Sequence, residues 1–94
     1  MPAPTKSPIL NAAIKEYNEQ RKKYTLESDI EQDNEHPYRL GDAARKILMQ
    51  SPSMPKGWEK DSWKSLIAKP LEKRKAIAGA FVLAQIEVMQ SKLD

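Results

Sequence analysis

The 94-residue chain contains no cysteine. That excludes a disulfide framework and a thiolate metal site, and with them the small stapled scaffolds of secreted proteins. A cytoplasmic setting is the expectation. Only three glycines and a single histidine are present, so the chain offers neither a Gly-rich loop to cradle phosphate nor a Ser/His/acid constellation. A mechanism using carboxylates alone would need a cleft, and a thin helical core of this length is expected to leave none of the about 300 Å³ that a small ligand requires. The protein is therefore expected not to be an enzyme and to carry no cofactor. Long apolar runs are also missing. The longest uncharged stretch, Ala76 to Ile86, is far short of the about 20 apolar residues that cross a bilayer, and Met1 to Ser7 lacks the hydrophobic region of a signal peptide. No membrane partner is expected.

What is present describes a folded, highly charged domain: 39% of residues are hydrophobic and 31% charged. The expected division is a flexible arm at residues 1–6 and a single helical domain at 7–94. The net charge of +3 is mild, but it is unevenly spread. Residues 1–36 are acidic on balance, and the basicity belongs to the C-terminal half.

Helical spacing dominates, and no strand alternation of useful length occurs. The expected class is all-α, a small bundle of about four helices near 8–24, 37–50, 61–68 and 70–93. Ser7 followed by Pro8 is a strong helix start, a hydroxyl cap before a proline at the first helical position. In the first helix Ile9, Leu10, Ala13, Ile14, Tyr17 and Tyr24 share a face. Residues 25–36 (TLESDIEQDNEH) read as a solvated acidic connector, with Ser28 and Glu31 spaced as a capping box for at most a turn or two. From Pro37, the residues Tyr38, Leu40, Gly41, Ala44, Ile47 and Leu48 recur with helical spacing, and Asp42 is an alternative cap for a shorter helix. Residues 51–57 (SPSMPKG) forbid continued helix. Asp61 is expected to cap the third helix, and Pro70 to end it and begin the fourth.

That last helix, 70–93, is apolar around most of its circumference. One stripe holds Ile77, Phe81, Ala84 and Val88; a second holds Leu71, Ala78, Gly79, Val82, Ile86, Met89 and Leu93. The remaining strip, with Glu72, Lys73, Glu87, Gln90 and Ser91 but also Ala76, Ala80 and Leu83, is expected to face solvent. Two neighbours are needed to cover the two stripes. Helices 1 and 2 or 3 of the same chain are expected to cover both; if they supply one only, Leu71, Val82, Ile86, Met89 and Leu93 become an oligomer stripe.

The first turn of this helix places Lys69, Lys73, Arg74 and Lys75 where the helix dipole is already positive, which would welcome an anionic partner surface. Lys56, Lys60 and Lys64 interleave with Trp58 and Trp63, a pattern compatible with phosphate contact and base stacking. Trp63 shares a face with Leu66 and Ile67, as a core residue would, and Trp58, beside Pro55 and Gly57, is expected to fold its loop over the helices, with a contact anchor as the alternative. His36 stands among Asp29, Glu31, Asp33 and Glu35, but the spacing matches no calcium loop and no metal is expected. The reading that best accommodates these features is a protein-protein interaction module, an adaptor, regulator or inhibitor, with self-association through helix 70–93. The alternative is a nucleic-acid-binding protein using the basic half for phosphate contacts.

Overall fold

In the computed structural model, which describes residues 7–93, the regular structure is five helices: α1 (Pro8–Lys23), α2 (Leu26–Glu35), α3 (Arg39–Leu48), α4 (Lys60–Ile67) and α5 (Leu71–Leu93). The chain is all-α, with no strand among the described residues. The arm expected at 1–6 lies outside them.

Local chemistry sets the helix ends. Ser7 is extended, and its hydroxyl accepts from the Leu10 N–H at 3.3 Å, with Pro8 opening the helix. Arg21, Lys22 and Lys23 complement the negative end of the α1 dipole. The acidic connector is a correction: it is the helix α2. Thr25 is its cap, accepting from the Ser28 N–H at 3.1 Å, and Glu27 and Asp29 lie favourably in the first turn. The helix is polar because two of its acids, Asp29 and Asp33, are buried in pairs with cations, so polarity there does not mean solvation.

α3 starts later than expected because Tyr38 takes a left-handed conformation (φ 61°), which removes Pro37 and Tyr38 from the helix. Asp42 is not its cap; it pairs with Arg45 and Lys46. α3 closes in a Schellman turn, Ser51 N–H donating to the Lys46 carbonyl at 2.9 Å and Gln50 N–H to Ile47 at 3.1 Å, with Gln50 at φ 53° in place of the usual glycine. Asp61 is likewise not a cap, since α4 begins at Lys60 with Glu59 in the capping position and no side-chain cap bond.

α5 is the centre of the fold, with α1 and α3 making the most extensive contacts to it. Its Ile77, Phe81 and Ala84 join Leu40, Ala43, Ala44 and Ile47 of α3 and the fully buried Trp63 of α4 in one core cluster. Trp63 is anchored by its indole N–H to the Ser51 carbonyl at 3.0 Å.

The strip of α5 expected to face solvent is the seam for α1. Ala76 and Ala80 are buried, and a Cβ on Gly79 would come within 2.7 Å of the Ala13 Cβ. Small side chains let the two helices approach closely. From α1, Tyr17 and Arg21 hydrogen-bond Glu87, and Glu16 pairs with Lys73. Of the α1 face expected to be apolar, Ala13 is buried, Ile14 and Tyr17 are half-buried, and Ile9, Leu10 and Tyr24 are exposed.

Candidate functional site

The two apolar stripes of α5 have different fates. Ile77, Phe81, Ala84 and Val88 are buried, whereas in the second stripe only Ala78 is buried and Gly79 half-covered. Leu71, Val82, Ile86, Met89 and Leu93 are between 45% and 83% exposed. α1 and α3 flank this ridge, and no other described element covers it. Contiguous exposed apolar side chains of this size mark contact surfaces more often than isolated ones do.

The basic first turn is largely engaged within the protein. Arg74 is a correction: it is buried, donating to the carbonyls of Lys69 (2.9 Å), Ile47 and Leu48 (3.1 Å each), and so is closed to a partner. The last two lie at the end of α3, where carbonyls lack the usual helical donor four residues on, and Ile47 accepts from the Gln50 N–H as well. Lys73 pairs with Glu16, and Lys75 pairs with Glu72 at 3.1 Å. Lys69 is half-buried, and Lys56, Lys60 and Lys64 are exposed on the loop and α4.

Two polar networks lock the helices to one another. Arg21 bridges Asp29 of α2 (2.7 Å) and Glu87 of α5 (2.9 Å), and Tyr17 also donates to Glu87. Burial pushes the Glu87 carboxyl up, but the bonds from Tyr17 and Arg21 outweigh it and hold the group below its ordinary value. Asp33 behaves likewise. Burial raises its pKa, and bonds from Lys92, from Gln85 (3.1 Å) and from the Tyr38 N–H (3.0 Å) bring it down overall. Two of the acids around His36 are thus taken by different cations, Asp29 by Arg21 and Asp33 by Lys92. Among the described residues no group of three or more His, Asp or Glu is arranged to hold a metal ion, and no helix is long and apolar enough to cross a membrane.

Contrary to the expectation of a core without a pocket, α1, α2 and α4 border a cleft of about 850 Å³. α4 is short and packs on the core through Trp63, Leu66 and Ile67, and the cleft lies between it and α1. Ile77, Phe81 and Ala84 of α5 lie in its floor. One wall is Trp58, edge-on to Trp63 (centroids 5.7 Å apart) and tilted against Phe81 at 5.4 Å. Trp58 thus folds its loop against the helices, as expected from the sequence, and forms a cleft wall in doing so. Gly57, at φ 87°, turns the chain there, and a Cβ would meet His36 at 2.8 Å and Arg39 Nε at 3.3 Å.

Arg39 also lines the cleft, with its guanidinium carbon 4.5 Å from the Trp58 ring centroid. Burial pulls its pKa below the usual arginine value, and Asp29 and Tyr24 counter only part of that. Among the described residues two enclosed N–H groups have no acceptor, Arg39 Nε and Trp58 Nε1. Each such group costs about 1 to 3 kcal/mol. The sequence reading missed Arg39, because nothing local distinguishes it: its nearest acid in the helix, Asp42, is taken by Arg45 and Lys46.

Comparison of the chain with protein-family models, curated proteins and solved structures finds no match.

Proposed function

We propose that the protein is a non-enzymatic helical interaction module, a small bundle that works by presenting the exposed face of α5 to another protein. The observation that supports this is the exposure of Leu71, Val82, Ile86, Met89 and Leu93 along one side of its longest helix. Fully covering a large aliphatic side chain is worth about 1.5 to 3 kcal/mol. Even half that per residue, summed along the ridge, is a substantial drive to associate.

A second copy is the occupant argued first. Leu71 and Leu93 lie equally far along the chain from Val82, so two antiparallel α5 helices related by a two-fold axis at Val82 set Leu71 of one copy against Leu93 of the other. Self-complementarity of this kind is what an isologous interface requires. Phosphate contact through the basic half has less support, because Arg74 is committed to backbone carbonyls and Lys73 to Glu16.

Sedimentation over a range of concentrations tests the reading, with affinity capture from native lysate, with and without nuclease, beside it. Supporting results are a concentration-dependent dimer, or a nuclease-resistant protein partner, either lost on Val82→Glu and Ile86→Glu. A strict monomer that captures nothing, or association indifferent to those substitutions, would rule it out.

A further inference from the structure

The cleft between α1 and α4 lies on the other side of α5 from the exposed ridge, and the interaction proposed above makes no use of it. We propose that it is a binding site for a small amphiphilic monocarboxylate, whose carboxylate accepts from Arg39 and whose apolar body lies along Trp58, Phe81 and Ile77.

The charge of the ligand follows from the arginines. Arg21 has two carboxylate partners, Arg45 has Asp42, and Arg74 has three backbone carbonyls. Arg39 has no oxygen partner among the described residues, although it is half-buried in the cleft wall and its Nε is enclosed. Asp29 acts on Arg39 from a distance, but its Oδ2 holds Arg21 at 2.7 Å. A guanidinium lying over an indole ring keeps its in-plane N–H groups for an acceptor, and a carboxylate matches that fork. Trp58 Nε1, also without an acceptor, is enclosed within the same wall, so its N–H reports on the site without itself facing the cleft.

The body of the ligand follows from the floor, which is aromatic and aliphatic, and the cleft volume falls within the range of small-molecule sites. The restriction to a single negative charge follows from the donors on offer. The rim is mixed, with Glu19, Glu59 and Asp61 beside Lys23 and Lys69. Arg39 is the lining guanidinium without an oxygen partner among the described residues, a fork that one carboxylate satisfies.

The test uses the full chain labelled with ¹⁵N, following the Trp58 indole N–H and the Arg39 Nε–H by NMR. The probes are 4-phenylbutyrate, the neutral 4-phenylbutyramide and inorganic phosphate. The carboxylate should give saturable shifts at both groups, with affinity roughly tenfold or more above that of the amide, as the loss of one charge-assisted pairing implies. Phosphate should give no saturable shift. Arg39→Gln should weaken phenylbutyrate binding by a similar factor while the helical circular dichroism is unchanged. If that variant does not fold, the acid-amide comparison on the natural chain decides. Equal affinity for acid and amide, saturable phosphate binding at comparable affinity, unchanged binding in a folded Arg39→Gln, or no saturable shift with the acid would each overturn the proposal.

Discussion

The guanidinium of Arg74 reaches from the first turn of α5 to the last turn of α3, where its Nη1 donates to the carbonyls of both Ile47 and Leu48 at 3.1 Å. A residue that looks in the sequence like part of an exposed basic cluster is therefore the cap of another helix. Replacing it by Met should cost about 2 to 4 kcal/mol in urea unfolding, since hydrogen bonds from a charged donor are lost and the Leu48 carbonyl loses its donor, while Ile47 keeps the Gln50 N–H. Lys73→Ala and Lys75→Ala, which break exposed pairs, should each cost less than about 1 kcal/mol. Equal effects at all three positions would contradict the assignment.

Two helical glycines should respond oppositely to alanine. At Gly79 the new methyl would sit 2.7 Å from the Ala13 Cβ, so α1 must move away from α5. The overpacking, about 1 to 3 kcal/mol, exceeds the gain of about 1 kcal/mol in helix propensity. At Gly41 the nearest atom is the Gln85 Cγ at an ordinary 3.5 Å, so the propensity gain should appear as up to about 1 kcal/mol of added stability. Thermal unfolding of the two variants beside the natural chain checks the signs.

Acid should destabilise the protein through Asp33 and Glu87. Both carboxyls are held below their ordinary values in the folded state, so the unfolded chain takes up protons first as pH falls. Their contribution is complete above about pH 4.5 and is lost as pH drops through the lowered folded values. Urea unfolding between pH 7 and pH 3 should show stability falling in that window. Asp33→Asn should be less stable at pH 7 and show a shallower fall; a fall as steep as that of the natural chain would contradict the role given to Asp33.

The parts of this fold that are legible in the sequence are those set by neighbours in the chain. The cap Ser7, the opening Pro8 and the break at Pro70 depend on local backbone chemistry, and Trp63 declares itself by sharing a face with Leu66 and Ile67. α2 is hidden because its buried side chains include carboxylates whose cations, Arg21 and Lys92, come from other helices. The α1 seam is hidden because it consists of Ala76, Gly79 and Ala80, whose small size resembles indifference to burial and in fact permits α1 and α5 to approach closely. The Arg39–Trp58 wall joins α3 to a residue past a proline-containing loop, and hydrophobic periodicity says nothing about such a pair.

Charge placed on the α5 ridge should leave the fold intact. Val82 and Ile86 are about half exposed, so glutamate at either position should change unfolding stability by no more than about 1 kcal/mol, close to the range of ordinary surface substitutions. A larger loss would mean that the ridge belongs to the core of the single chain.

The most direct measurement of the central claim is sedimentation equilibrium of the natural chain and of Val82→Glu over a wide concentration range. Pairing of the ridge with a second copy, the occupant favoured above, predicts a monomer-dimer equilibrium for the natural chain and a monomer for the variant, both with the same helical content. A natural chain and a Val82→Glu variant that associate equally would contradict it.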